Sequence, residues 1–185
     1  DGYIWIPTFY GLFRYDGYEV RTYKSNLYTP GLLVNNNVLC VEEDYSHRLW
    51  IGTHEGLCML DKRTGKMKKL QLDGVSKQRL NEIHVTKENR VYLGYIRGMA
   101  YYDEMQDTLA LMTRKNCRGD VPESVNIQTL FEDVNGDLLI GTWKDGLYRY
   151  CIKENIFLHY PPLDEENSVL ALFQDSRGVM WRSEE

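Results

Sequence analysis

Short apolar runs alternate along this chain with turns that carry Gly, Asp or Asn. The clearest case is Leu49-Trp50-Ile51-Gly52-Thr53-His54-Glu55-Gly56-Leu57-Cys58-Met59-Leu60-Asp61. It reads as two short strands, with Gly52 and Gly56 bracketing a turn where close approach or a left-handed backbone suits only glycine. Leu49 and Ile51 face one way and Trp50 the other, so both faces of that strand need cover. A strand at Val38 to Glu42 precedes it, with a turn at Asp44 to Arg48. A hairpin loop at Asp61 to Gly65 follows it, leading into the alternating outer strand Lys66 to Leu72. The pattern predicts four strands in antiparallel succession.

The same pattern recurs. Residues 4–16, 91–103 and 138–150 repeat it, the last with one extra residue in the turn, and a further copy begins at Met180-Trp181. The anchoring glycines Gly11, Gly56, Gly98 and Gly146 stand 45, 42 and 48 residues apart. A period of that length built from short strands is the signature of propeller blades, which bury their faces only by stacking round an axis. The fold class expected is therefore all-β, a β-propeller fragment of four-stranded antiparallel blades. Complete blades are expected at residues 37–73, 81–114 and 125–161, with partial blades at 1–24 and 168–185. Connections run from Ser25 to Asn36, Gly74 to Leu80, Lys115 to Ser124 and Pro161 to Ser168. The chain opens in mid-repeat at Asp1-Gly2-Tyr3-Ile4-Trp5 and reads as a piece of a longer polypeptide. Sheet faces left without partners predict self-association or dimerisation.

Composition narrows the class. With 43% hydrophobic and 26% charged residues the chain has a globular balance. A net charge of −5 and a pI near 5.5 give no reason to expect nucleic acid. The basic cluster Lys66-Met67-Lys68-Lys69 fits the solvated face of an outer strand. Cys40, Cys58, Cys117 and Cys151 include no Cys-x-x-Cys pair, so neither zinc nor dithiol chemistry is suggested. Cys40 and Cys58 read as buried thiols, and connectivity is not readable. No apolar run is long enough to span a bilayer, so any membrane link would come through the rest of a parent chain.

Candidate chemistry is sparse. Asp133-x-Asn135-x-Asp137 imitates the start of a calcium loop, but Leu138 stands where Gly is needed and Lys144 where Glu is needed. Asp44, Asp133 and Asp175 hold one repeat position, which favours a turn-forming role. The acidic pairs Glu43-Asp44 and Glu132-Asp133 could suggest a glycosidase, yet they recur once per blade at a strand end. His47, His54, His84 and His159 lack ligand spacing, and no nucleophile elbow is present. No catalytic residue, metal or cofactor is expected. Trp5, Trp50 and Trp181 share a slot with Tyr92 and Leu139 and read as packing residues; Trp143 falls outside it, in a turn. In an up-and-down blade, the turn between strands two and three shares a face with the long connections. Tyr10, His54, Glu55, Arg97, Trp143, Lys144 and Asp145 are thus placed on one rim, as ligand-binding candidates or as ordinary polar surface.

The pattern Leu49-Trp50-Ile51-Gly52-Thr53 with Gly56-Leu57, and Leu139-Ile140-Gly141-Thr142 with Gly146-Leu147, resembles the two-component regulator propeller repeat. That repeat occurs in the sensor regions of Bacteroides-type hybrid two-component histidine kinases. Tyr95 replaces the usual Thr in the third repeat, Pro7 replaces Gly in the first, and Trp181-Arg182-Ser183-Glu184-Glu185 departs from the pattern. The resemblance implies a periplasmic, non-catalytic sensing segment whose partner is an oligosaccharide or related small ligand, with kinase activity elsewhere in the parent. The alternatives are a protein-interaction scaffold of WD40-like or kelch-like role, and a propeller lyase or glycosidase.

Overall fold

The computed structural model describes residues 2–25, 32–72, 77–162 and 168–183. The middles of the connections read at Ser25 to Asn36, Gly74 to Leu80 and Pro161 to Ser168 lie outside these residues, as do Asp1, Glu184 and Glu185. The first sheet holds β1 (Ile4–Thr8), β2 (Gly11–Tyr15) and β3 (Val20–Tyr23). The second holds β4 (Val38–Glu43), β5 (Arg48–Thr53), β6 (Gly56–Asp61) and β7 (Met67–Leu70), and the third β8 (Leu80–Val85), β9 (Val91–Tyr95), β10 (Gly98–Asp103) and β11 (Thr108–Leu111). After β12 (Arg118–Gly119) come β13 (Ile127–Glu132), β14 (Leu138–Thr142), β15 (Leu147–Cys151) and β16 (Ile156–Tyr160), then β17 (Leu172–Gln174) and β18 (Met180–Arg182). Apart from β12, each sheet runs antiparallel in chain order. The first strands β4, β8 and β13 pack side by side, so the sheets fan around an axis as propeller blades.

Three features of the repeated sequence explain why it folds this way. The Asp at the first turn organises the hairpin: Asp44 Oδ1 accepts the backbone N–H groups of Ser46 at 2.9 Å and Arg48 at 3.0 Å, while Oδ2 accepts the Trp50 indole N–H at 2.9 Å. Asp133 does the same for Asn135 and Asp137, and Asp175 for Arg177, Val179 and the Trp181 indole. The Thr at the next turn donates its hydroxyl across it. Thr8, Thr53 and Thr142 reach the carbonyls of Gly11, Gly56 and Gly146 at 2.8, 2.8 and 2.7 Å.

The Gly inside the second strand answers to the following blade. A Cβ on Gly94 would lie 2.6 Å from Ile127 Cγ2, and one on Gly141 2.5 Å from the Val169 carbonyl oxygen. On Gly52 it would collide with Cys40 Sγ and approach Leu80. Leu80, Ile127 and Val169 are where each next blade enters the axis, so glycine permits that approach. Opposite each glycine the inner strand shifts register, between Val38 and Cys40, Leu80 and Glu82, and Ile127 and Thr129. Such a bulge bends the strand and re-aims its side chains.

The core therefore lies between blades. One apolar cluster joins Leu12, Leu33 and Ile51, a second joins Trp50, Leu80 and Leu93, and a third joins Tyr92, Ile127 and Phe157. The second interface is also stapled by charge. Arg48 Nε donates to Asp44 at 2.6 Å, and its two terminal nitrogens fork onto Glu104 of the next blade at 2.8 and 2.9 Å. Burial alone would lower the guanidinium pKa, but the hydrogen bonds to Glu104 and Asp44 outweigh it and raise the value. The cation also sits 5.3 Å from the ring centres of both Trp50 and Tyr102.

Two expectations need correction. The connection Lys115 to Ser124 is not merely a linker: β12 within it pairs in parallel with β16, as a fifth strand on the outer edge of the fourth blade. The last partial blade, expected from residue 168, has its first strand only from Leu172, because the Val169 N–H donates to the Thr142 carbonyl at 2.9 Å instead. All four thiols are free; Cys58 is buried, while Cys40 is only partly so.

Candidate functional site

The turns between second and third strands carry the seven candidates. The last three turns are fastened to the segment that enters their blade: the His54 N–H donates to the Asn37 carbonyl at 3.0 Å, that of Ile96 to Arg79 at 3.3 Å, and that of Trp143 to Asn126 at 2.9 Å. Tyr10 is 76% exposed at the tip of the first turn. His54 and Arg97 are exposed at the second and third. Glu55 pairs with Lys77 at 2.5 Å, and that hydrogen bond holds its carboxyl pKa down. Among the seven, the structure brings together Trp143, Lys144 and Asp145 as one surface, while Tyr10 stands on the first blade, His54 and Glu55 on the second and Arg97 on the third.

The fourth turn is the most elaborate. Its extra residue sets Lys144 at a φ of 65°, a left-handed conformation uncommon for a residue with a side chain. The turn is braced from below. Tyr148 donates its hydroxyl to Asp145 Oδ2 at 2.6 Å, and the His159 ring stacks on Tyr148 at 4.2 Å between centroids. His159 Nε2 lies 2.8 Å from the Asp145 carbonyl oxygen, and the Lys144 N–H reaches Ser168 Oγ at 3.3 Å. Trp143 is left 42% exposed on this rigid base.

The inner strands hold a group that sequence reasoning missed. Glu42 and Glu82, on adjacent blades, have carboxyl pKa values raised to about 7. Burial is the main cause for both, and the Glu82 charge adds to the rise at Glu42. Glu42 Oε1 accepts the Val85 N–H at 3.0 Å, which opposes the rise. Cys40 beside them has its thiol pKa raised by burial and by both carboxylates. Further round, His84 has its pKa lowered by burial, against the pull of Glu132 at 4.0 Å. Cys40, Glu82 and Thr129 hold one slot opposite the repeat glycine, but only the fold brings Glu82 beside Glu42 of the neighbouring blade.

The apparent calcium loop is occupied by protein groups. Arg149 donates to Asp137 Oδ2 at 2.8 and 3.0 Å and lies 3.4 Å from Asp133, while Asp133 Oδ1 serves its own turn.

Comparison with known proteins follows the geometry. Residues 32–55 match the sequence model of the family described as two component regulator propeller. Among solved structures, the extracellular domain of the hybrid two-component system BT4673 from B. thetaiotaomicron is similar with a TM-score of 0.80 at 21% identity, over 98% of this chain and 24% of that one. The extracellular domain of the hybrid system BT3049 from the same organism gives 0.51 at 19%, over 98% and 30%. Virginiamycin B lyase from Staphylococcus aureus gives 0.76 at 10%, over 98% and 59%. The chain thus spans about a quarter of the length of the BT4673 structure. No curated protein matches it. A sensor domain and a lyase both superpose, at 0.80 and 0.76, so the likeness speaks for the fold and leaves chemistry to the site. The chain is an arc of β-propeller blades that carries, at residues 32–55, a two-component regulator propeller repeat.

Proposed function

We propose that this chain is a non-catalytic, ligand-sensing segment of the extracytoplasmic, periplasmic region of a hybrid two-component sensor kinase, and that its ligand is a glycan-derived oligosaccharide. The observation that carries the ligand site is the fourth-blade turn, where Trp143 and Lys144 are presented on the base formed by Asp145, Tyr148 and His159. An aromatic plane beside charged donors and acceptors suits stacking on a sugar ring and hydrogen bonding to its hydroxyls. Tyr10, His54, Glu55 and Arg97 extend the same rim. The repeat match and the fold likeness to the BT4673 extracellular domain support the sensing role and its compartment.

His159, 3.9 Å from Asp145 Oδ1 beneath the rim, supports a non-catalytic reading, because its ring is stacked on Tyr148 and its Nε2 faces a carbonyl oxygen. Signalling then needs only that bound ligand favours one arrangement of the assembled sensor over another. The outward Ile4, Ile6, Phe173 and Trp181 of the end sheets fit contact with a second copy. Sedimentation velocity is expected to show a dimer; a monodisperse monomer refutes that contact.

Calorimetric titration of oligosaccharide panels into the intact extracytoplasmic region tests the ligand. Heat is expected with at least one glycan class, weakened about tenfold or more by Trp143→Ala, since losing one good stacking contact costs about 1.4 kcal/mol or more. Silence across the panels removes the glycan reading, and binding indifferent to Trp143→Ala removes the site.

A further inference from the structure

Successive blade interfaces repeat the same positions with different residues. At the second interface Arg48 and Trp50 face Tyr102 and Glu104, and the Arg48–Glu104 fork closes the outer part of the wedge. One blade later, by repeat register, Arg90, Tyr92, Tyr150 and Ile152 occupy those places. The ring pair persists, with Tyr92 edge-on to Tyr150 at 6.0 Å and 70°. The acid does not: an isoleucine stands where the second interface has its glutamate.

The consequence is an open groove of about 600 Å³ between the third and fourth blades, lined by Arg90, Tyr92, Tyr101, Met112, Tyr150 and Ile152 among others. That volume is in the range of small-molecule sites. Arg90, with no cross-blade acid among the described residues, turns to the Tyr92 hydroxyl and to Glu88 of its own turn at 3.5 Å, where both side chains are mostly exposed. The two acids on the groove wall are already engaged. Glu104 is held by Arg48, and Asp103 Oδ1 accepts the N–H groups of Met105 and Gln106 at 2.9 and 3.1 Å. Tyr150 is fixed by a 2.9 Å hydrogen bond from its hydroxyl to Asn155 Oδ1.

The geometry points to a second binding site in this groove, for a small organic acid built on a six-membered ring. Its carboxylate takes, against Arg90, the place that the Glu104 carboxylate takes against Arg48, and its ring lies along the tyrosine wall. Planar guanidinium and carboxylate match in a two-bond fork, and a flat ring packs well on phenol faces. The groove opens on the face of the first- and third-turn hairpins, opposite the rim, so it is independent of the sensing proposal.

Protein-detected NMR on the purified chain tests it with two acid arms, 4-hydroxybenzoate and glucuronate, each beside its uncharged counterpart, 4-hydroxybenzamide and glucose. At least one acid is expected to shift the amides of Arg90, Tyr92 and Ile152 saturably at millimolar concentration, with its counterpart at least tenfold weaker. The responding arm identifies the source as aromatic acid or sugar acid. Arg90→Gln is expected to weaken binding tenfold or more. Ile152→Glu is expected to abolish it and to raise the melting temperature, by restoring the fork seen one interface earlier. Equal binding of acid and counterpart, no response to either acid, or full binding by both variants overturns the site. These outcomes leave the rim untouched, since oligosaccharide heats there depend on Trp143.

Discussion

The strands β5 and β18 carry a tryptophan at the same repeat position, and the two indoles meet opposite fates. In β5, Trp50 is fully sealed between blades and its indole donates to Asp44. In β18, Trp181 makes the equivalent bond to Asp175 at 3.3 Å, yet it is 60% exposed. Local structure is thus set by the repeat itself, whereas burial comes from the blade that follows. Stability in such arrays resides in nearest-neighbour interfaces.

The largest test of that division is at the two tryptophans. Trp50→Ala empties a closed interface and removes one of the donors to Asp44, and is expected to cost about 3–5 kcal/mol in urea denaturation. Trp181→Ala is expected to cost under about 1 kcal/mol. Equal losses would show that the indole acts through its own hairpin and not through the neighbouring blade. A smaller effect separates Gly94 from Pro7, which share a repeat position. Gly94→Ala drives a methyl against Ile127 and is expected to cost about 1–3 kcal/mol, while Pro7→Ala, exposed at its edge, should stay within about 0.5 kcal/mol. Thermal melts that rank them the other way would contradict the close-approach account of the repeat glycine.

The smallest effect concerns the inner strands. The carboxyls of Glu42 and Glu82 are raised from 4.5 to about 7 by burial, so their contribution to stability is complete below about pH 4.5 and is lost as pH rises through about 7. Glu82→Gln removes one such charge. It is expected to raise the melting temperature at pH 8 by about 2–4 °C, and to change little at pH 5. An equal shift at both pH values would mean the charge is irrelevant.

The blades were legible because their determinants are local. Asp44, Thr53 and Gly56 each act on residues within a few positions, so sequence order alone reveals the turns. Glycine 52 was legible as a turn residue, but its larger role in admitting Leu80 involves a residue 28 positions away and could not be read from the pattern. The same holds for the Glu42 and Glu82 pair and for the Arg48 fork to Glu104, which join different repeats. The candidate rim followed from strand count, and its placement of Trp143 in a turn needed only the extra residue. The brace of Tyr148 and His159 beneath it did not show in the sequence, because those residues sit in strands that otherwise look like packing positions.

Among the described residues, two connections between blades lie along the next blade's outermost strand: Leu72 bridges to Leu109, and Arg118 and Gly119 pair with Ile156 and Phe157. Each arriving segment thereby covers a ribbon of backbone that would otherwise recruit foreign chains. A circular permutant opened at 117–120 would uncover that ribbon and invite aggregation. One opened in the exposed hairpin at 62–64 would keep every strap in place.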